Sequence, residues 1–196
     1  MPEMEHSEGV IAVKIARAIA ESEVGGEEAD VAMPSSFLDC KGVFVTISEY
    51  PSGDLRGCIG YPEPVFPLKD SLAMSASAAC RDPRFDDLTL DEAKNCTFEV
   101  TILTTPEIIG SKDPEEILRS IGIGTDGLIM EFNGHRGLLL PQVPVEWGWD
   151  AEEFLEHLSI KARCPPETWM HPDAELRRFK GEIFSETSPR GEIIRK

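Results

Sequence analysis

The same order of elements occurs twice along this chain, which restricts the folds that its 196 residues can adopt. Each occurrence has a β-type run, a turn, a second β-type run, prolines, a helical run and a final β-type run. An Arg-Gly pair lies in the second run of each, at Arg56-Gly57 and Arg136-Gly137. The pattern predicts two copies of one unit, at about 42–104 and 127–187. Low identity between the copies keeps chance similarity as the alternative.

Each copy is expected to contain an antiparallel hairpin. The β-branched and aromatic run at 43–48 leads through a turn to a second strand, Leu55–Gly60. In the second copy, Asn133-Gly134 separates two apolar runs, which is a strong hairpin signal. Two such units can pair edge to edge into one mainly antiparallel sheet covered by helices. We therefore expect an α+β fold with strand-strand-helix-helix-strand repeats, in a single domain over 1–196 with its core at about 8–187.

Capping residues and apolar periodicity predict the helices. A first helix capped by Ser7 ends at Gly25-Gly26 and places Arg17 off its apolar face. Further helices are expected at about 68–80, from Leu90 after the capping box Thr89–Glu92, from Asp113, and from Asp150 to about 162. The remaining segments are a polar connector at 26–41, a link at 141–149, a last strand at about 178–186, and a polar tail from Ser188 that is expected to fray.

The composition excludes several classes of protein. The net charge of −17 leaves no basic stripe large enough to follow a nucleic-acid backbone. Five cysteines without a C-x-x-C pair disfavour a disulfide framework and a zinc ribbon. The four histidines do not show the H-x3-H or H-E-x-x-H spacing of metal ligands. We expect no metal or cofactor site of sequence-local ligands. No run approaches the roughly 20 apolar residues of a membrane helix, and no signal pattern is present, so we expect a cytoplasmic protein.

The segment Leu55–Gly60 contains the strongest candidates for functional side chains, Arg56 and Cys58. Strand alternation predicts that Arg56 and Cys58 project from one face, about 6.5–7 Å apart, while Gly57 and Gly60 leave room for another backbone or a ligand. One interpretation is a reactive thiol beside an anion-binding guanidinium, with Cys58 as nucleophile. The other is a small buried cysteine in a sheet, with the arginine paired to an acid. The second copy has Leu138 in place of the cysteine.

Three further charged residues belong to the candidate site. Arg81 and Arg84 lie in a loop that contains Pro83, where they can bind a carboxylate or a phosphate. Alternatively, the two cations interact with the dipole at the C-terminus of the preceding helix, and Asp82 caps the loop. Glu99 is expected either to pair with Arg56 or Arg81, or to act as a general acid or base. The preceding Cys80 is expected in the core.

Aromatic residues of the second copy have two interpretations. Trp147 and Trp149, with Trp169 later, can line an apolar pocket or an interface, or pack in the core. His157 lies among leucines of a predicted helix and is interpreted as a helix residue rather than a ligand.

Several of these blocks resemble the signature of the AMMECR domain family. They are Leu55–Gly60, Arg81-Asp82-Pro83-Arg84-Phe85, Phe98-Glu99-Val100, Gly137–Val143 and Glu146-Trp147-Gly148-Trp149, in the family's order and over roughly 8–187. The resemblance implies an α+β fold of repeated strand–helix units and a cytoplasmic prokaryotic protein. It also implies association with Memo-like and radical SAM proteins. It supplies no catalytic residues, so the site residues rest on the physical argument alone.

Two functions are consistent with these observations. The first is a ligand-binding or thiol-dependent enzymatic domain that acts with Memo-like or radical SAM partners on an anionic small molecule or peptide. Its catalytic residues would be Cys58 and Glu99, and its ligand-binding residues Arg56, Gly57, Gly60, Arg81 and Arg84. The second is a non-catalytic module for protein interaction or regulation.

Overall fold

The structure is a computed structural model that describes residues 4–27 and 32–196. Residues 1–3 and 28–31, which include part of the connector expected at 26–41, lie outside the described residues. Contacts divide the chain into two compact units. The first unit consists of the described residues up to Thr104 together with Glu182–Lys196, and the second unit is Thr105–Gly181.

The described residues form helices and strands in mixed order. The helices are α1 (His6–Glu23), α2 (Leu68–Ala79), α3 (Leu90–Asn95), α4 (Pro114–Ser120), α5 (Gln142–Trp147) and α6 (Ala151–Lys161), with 3₁₀ turns at Ser35–Leu38 and Pro166–Met170. The strands are β1 (Val43–Glu49), β2 (Leu55–Tyr61), β3 (Cys96–Leu103), β4 (Glu107–Ile108), β5 (Gly127–Phe132), β6 (His135–Leu139), β7 (Glu175–Phe179), β8 (Gly181–Glu186) and β9 (Ile193–Arg195). None of the helices described has the length and apolar composition of a membrane span.

The first unit contains a five-stranded sheet in the order β2-β1-β3-β8-β9. Strand β1 is antiparallel to both β2 and β3. Its alternate residues Val43, Val45 and Ile47 are fully buried in one core with side chains from α1 and α2. The opposite face therefore carries the polar half of the alternation, as the period-2 pattern predicts.

The second unit contains a four-stranded sheet in the order β4-β7-β5-β6. Asn133 and Gly134 both have positive φ, so the hairpin predicted at this dipeptide is confirmed. Residues of β5 and α6, including Met130, Phe154 and Leu158, form the centre of a separate core. In both sheets a hairpin pairs through its first strand with a later third strand.

The α+β class is confirmed, but the single joined sheet is wrong, because the described strands form two sheets. The strand predicted at about 178–186 is two strands, since β7 ends at Phe179 and β8 begins at Gly181 in the other sheet. The second predicted repeat, 127–187, therefore crosses from one unit into the other. The break falls at Lys180, and Gly181 after it is the local signal, since glycine and lysine are depleted in strands.

Several local predictions have definite outcomes. The N-cap of α1 is Glu5 rather than Ser7, and its backbone N–H donates to Glu8. The caps at Thr89, Asp113 and Asp150 are confirmed. The link at 141–149 contains α5. The tail from Ser188 does not fray as predicted, because β9 pairs with β8 and buries Ile193.

A buried ion pair joins distant parts of the first unit. Arg17, which the helical pattern places off the apolar face, is only 7% exposed, as is Glu186. Arg17 donates to Glu186 Oε1 (2.8 Å) and to the carbonyls of Ala93 (2.9 Å) and Cys96 (2.7 Å). Glu186 also accepts the backbone N–H of Phe98 (3.0 Å). The pair thus connects α1, α3, β3 and β8.

Arg17→Ala is expected to lower the free energy of unfolding by about 3–5 kcal/mol, because it leaves Glu186 buried without its partner. Urea unfolding at pH 7 measures this change. Arg119→Ala, in the exposed pair with Glu115 on α4, is the control, and its expected cost is below about 0.5 kcal/mol. Equal costs for the two variants would contradict a structural role for the buried pair.

Candidate functional site

The signature blocks meet at the free edge of β2. Cys58 directs its backbone N–H and carbonyl away from β1, where they meet the loop that follows α2. The N–H donates to Asp82 Oδ2 (2.8 Å), and Arg84 donates to the Cys58 carbonyl (3.3 Å). Because β2 is the last strand on this side of its sheet, this loop supplies partners that an edge strand otherwise lacks.

The carboxylate of Asp82 organises that loop. It is 2% exposed and accepts from Nη2 (2.6 Å) and Nε (3.0 Å) of Arg84, as well as from the backbone N–H of that residue (3.1 Å). The Arg84 guanidinium, followed by the two backbone N–H groups, holds the pKa of Asp82 well below its usual range, against the effect of burial. Asp82 therefore caps the loop, as one of the two interpretations of the sequence predicted.

The space beside the two glycines of β2 is filled by the protein itself. A Cβ atom on Gly57 would lie 2.3 Å from the carbonyl oxygen of Ala79, at the end of α2. A Cβ atom on Gly60 would lie 2.3 Å from the ring of Phe44 on β1. The prediction that these glycines leave room for a ligand is therefore wrong. The prediction that another backbone approaches closely is confirmed for Gly57. Gly137 of β6 approaches the Leu158 carbonyl of α6 in the same way.

A β-bulge removes Arg56 from the predicted alternation. Gly57 pairs with Ile47 and Leu55 with Ser48, so Arg56 is the extra residue of β2. Its guanidinium is buried on the helix-covered side, where it donates to Glu92 (3.1 Å) and to the Asp87 carbonyl (3.3 Å). The expectation that Arg56 and Cys58 share a recess is therefore wrong.

Glu92 is the acid that pairs with Arg56. Hydrogen bonds from the Arg56 guanidinium, then from the backbone and hydroxyl of Thr89, lower the pKa of Glu92 to about 2. The hydrogen bonds of the α3 capping box thus hold the Glu92 carboxylate in the position where it accepts from Arg56. Sequence reasoning found the box but not the ion pair, because the two residues are 36 positions apart.

Glu99 and Arg81 have other partners than expected. Glu99 accepts from Nζ of Lys196 (2.6 Å), and Arg81 donates to Glu23 at the end of α1 (2.5 Å). The predicted pairing of Glu99 with Arg56 or Arg81 is wrong, because Glu99 lies on the face of β3 away from the helices.

Three side chains form a polar row on the face of the first sheet opposite to the core shared with α1 and α2. The ladder pairs Thr46 with Cys58 on one side and with Glu99 on the other. All three are half-buried, and Cys58 Sγ lies 3.2 Å from the Thr46 hydroxyl. Two strand spacings separate Cys58 from Glu99 by about 10 Å, so the carboxylate does not contact the thiol. We call Cys58, Thr46 and Glu99 the polar row.

Three of the other cysteines differ from Cys58 in accessibility, whereas Cys164 is half-buried as Cys58 is. Cys80 is buried, as predicted, and desolvation raises its pKa to about 11. Burial also raises the pKa of Cys96, whereas Cys40 is exposed. The described residues contain no group of three His, Cys, Asp or Glu side chains arranged to hold a metal ion.

The three tryptophans have different environments. Trp169 is buried in the second core, which confirms core packing for this residue. Trp149 is partly buried against the same core and stacks on His157, while Trp147 is largely exposed.

Comparisons with known proteins extend over nearly the whole chain. A family model described as AMMECR1 matches residues 13–184. Protein MJ0810 of Methanocaldococcus jannaschii is 49% identical over 191 residues, covering 96% of this chain and 95% of that protein. A protein of Methanocella arvoryzae is 48% identical over 193 residues and covers 96% of each chain. The crystal structure of the uncharacterized protein PH0010 from Pyrococcus horikoshii is similar with a TM-score of 0.77 at 44% identity, covering 98% of both chains.

Gly57→Ala is expected to destabilise the protein by about 1–3 kcal/mol, because the new methyl group overlaps the Ala79 carbonyl and forces α2 away from β2. Gly110→Ala is the control, since a Cβ there meets nothing within 4 Å. Chemical unfolding of both variants measures the difference. Gly57→Ala as stable as the control would show that the close approach is not constrained.

Glu92→Gln is expected to lower the urea midpoint at neutral pH and to lose this effect in acid. The folded-state pKa of Glu92 is about 2, below its ordinary value of 4.5. The charged carboxylate therefore adds stability above pH 4.5, and this contribution is lost as pH falls toward 2. The variant and the wild-type protein should converge over that window, measured by unfolding at several pH values.

Glu115→Gln, at an exposed ion pair, provides the control for this pH series and should differ little from wild type throughout. A Glu92→Gln difference that stays constant from pH 7 to pH 2 would contradict the assignment.

Proposed function

The chain belongs to the AMMECR1 family, and we propose that it is a non-catalytic protein-docking module whose docking surface is the polar row. The polar row lies on the face of the first sheet opposite to the α1 and α2 core, and the proposed partner is a Memo-like or radical SAM protein in the cytoplasm. This choice favours the interaction module over the anion-binding or enzymatic domain.

The observation that carries the proposal is that the charged side chains of the signature blocks already bind one another or nearby groups. The guanidinium groups of Arg56, Arg81 and Arg84 pair with Glu92, Glu23 and Asp82. The charge of each guanidinium is therefore partly offset by a carboxylate, which weakens its attraction for an anionic ligand. An anion that displaced Asp82 would also remove the acceptor of the Cys58 N–H, leaving the edge of β2 unpaired.

The geometry of the polar row supports docking rather than catalysis. The thiol contacts a hydroxyl, and the nearest acid of the row is about two strand spacings away, too far for direct proton transfer. A sheet face with half-buried thiol, hydroxyl and carboxylate groups offers a partner hydrogen-bond donors and acceptors at fixed spacing. The ion pairs on the other side of β2 hold that spacing rigid.

A thiol-dependent activity is the second candidate, and one observation favours it. Cys58 is half-buried rather than buried, and its sulfur lies 3.2 Å from the Thr46 hydroxyl, which can donate to a thiolate. In this alternative Cys58 acts as nucleophile, and Glu99 would need a bridging water to serve as acid or base.

Thr46→Arg tests the docking surface, because it places a long charged side chain at the centre of the polar row. We expect the affinity for a purified Memo-like or radical SAM protein from the same organism to fall about tenfold or more, as for a central interface residue. Titration calorimetry measures the affinity, and circular dichroism checks that the variant is folded.

Ser52→Arg, in the exposed turn between β1 and β2, adds the same charge away from the polar row and should bind as the wild type does. Unchanged affinity of Thr46→Arg for both partners would overturn the docking proposal.

Thiol labelling separates the two candidates. If the protein is a docking module, Cys58 should react with an aromatic disulfide reagent no faster than the exposed Cys40, and Cys58→Ser should retain partner affinity. A Cys58 that reacts at least about tenfold faster than Cys40 would favour the thiol-dependent activity, because rate enhancement follows thiolate character. Cys80 and Cys96 should label only on unfolding.

A further inference from the structure

Three aromatic rings stack outward from the core of the second unit. The ring of His157 lies parallel to Trp149, with centroids 3.7 Å apart and planes within 3°. Trp149 stacks in turn with Trp147, at 6.0 Å and 18°. We call these three side chains the aromatic stack.

Local backbone geometry creates the aromatic stack. Gly148 has φ +69° and ends α5 in the left-handed conformation, with Trp149 N–H donating back to the Pro144 carbonyl (2.8 Å). This reversal, which glycine adopts without strain, brings the tryptophans on either side of it together. Asp150 then caps α6, on which His157 lies.

The aromatic stack ends in an exposed ring. Trp147 is 70% exposed, the most of any large apolar side chain described, whereas Trp149 packs against the second core. The inner rings therefore hold the outer one in place, and much of its surface remains available. An exposed, preorganised tryptophan is typical of a recognition site, since little rotamer entropy is lost on binding.

The charge around the aromatic stack selects its ligand. The segment 141–160 has five carboxylates, Glu146, Asp150, Glu152, Glu153 and Glu156, and no lysine or arginine; Lys161 and Arg163 follow it. Glu146 immediately precedes Trp147. Glu153 is four residues before His157 and so lies on the same face of α6.

The negative charge of these carboxylates favours some of the ligands that commonly bind an exposed tryptophan and disfavours others. A nucleotide can stack on the ring, but its phosphates are repelled by the acidic segment. An anionic lipid surface is repelled for the same reason. A guanidinium both stacks on indole and is attracted by carboxylates.

We propose that the aromatic stack binds an arginine side chain presented by a basic segment of a protein partner. Trp147 supplies the ring face, and Glu146 and Glu153 supply the negative potential. The site lies in the second unit and does not depend on the polar row, so either proposal can fail without the other.

The test titrates ¹⁵N-labelled protein with the peptide acetyl-Gly-Arg-Gly-Arg-Gly-amide and follows the indole N–H resonances. Trp147→Phe assigns the outer indole. We expect a saturable shift of that resonance, and about fivefold to thirtyfold weaker binding by Trp147→Ala, as followed through the Trp149 indole. The double variant Glu146→Gln/Glu153→Gln should also weaken binding and reduce its salt dependence.

Two controls separate recognition from general attraction to an acidic protein. Ile108→Ala removes another exposed apolar side chain of this unit and should bind the peptide as the wild type does. The same peptide with glutamine in place of arginine should not shift the indole. Equal affinity of Trp147→Ala and wild type would overturn the proposal, as would tighter binding of adenosine monophosphate or of phosphatidylserine vesicles than of the arginine peptide.

Discussion

The buried carboxylate of Asp82 is the interaction on which the signature region depends. It binds the N–H of Cys58 on the edge strand and the guanidinium of Arg84 in its own loop. The end of α2 can therefore lie directly on Gly57, where no side chain would fit. Two sequence blocks that are 24 residues apart thus form one structural element, which needs no ligand to complete it.

The Arg17–Glu186 pair has a comparable role for the first unit as a whole. Burying two charges is costly, and a pair of this kind often adds little net stability over an apolar replacement. What it supplies is specificity, because Nε and Nη2 of Arg17 and the backbone N–H of Phe98 reach the Glu186 carboxylate only when β8 lies beside β3. This accounts for the return of the C-terminal strands to the first sheet.

These internal pairs change where recognition is expected. Arg56, Arg81 and Arg84 bind carboxylates of their own chain, which offsets their charges, and the pairs of Arg56 and Arg81 connect separate segments of the first unit. The sheet face that carries the polar row and the exposed ring of Trp147 remain as the candidate recognition surfaces. One is polar and nearly flat, and the other is aromatic within an acidic segment, so they suit different ligands.

The sequence by itself determined the α+β class, the hairpin at Asn133-Gly134, the helix caps at Thr89, Asp113 and Asp150, and the buried faces of β1 and β3. Each of these depends on residues within a few positions of one another, so local backbone preference and side-chain period suffice to predict them. Tertiary structure decided the bulge at Arg56, its pairing with Glu92, the burial of Arg17 and the division of the last strand into two. The two ion pairs join residues 36 and 169 positions apart, and a charged side chain carries no local sign of which distant acid will pair with it.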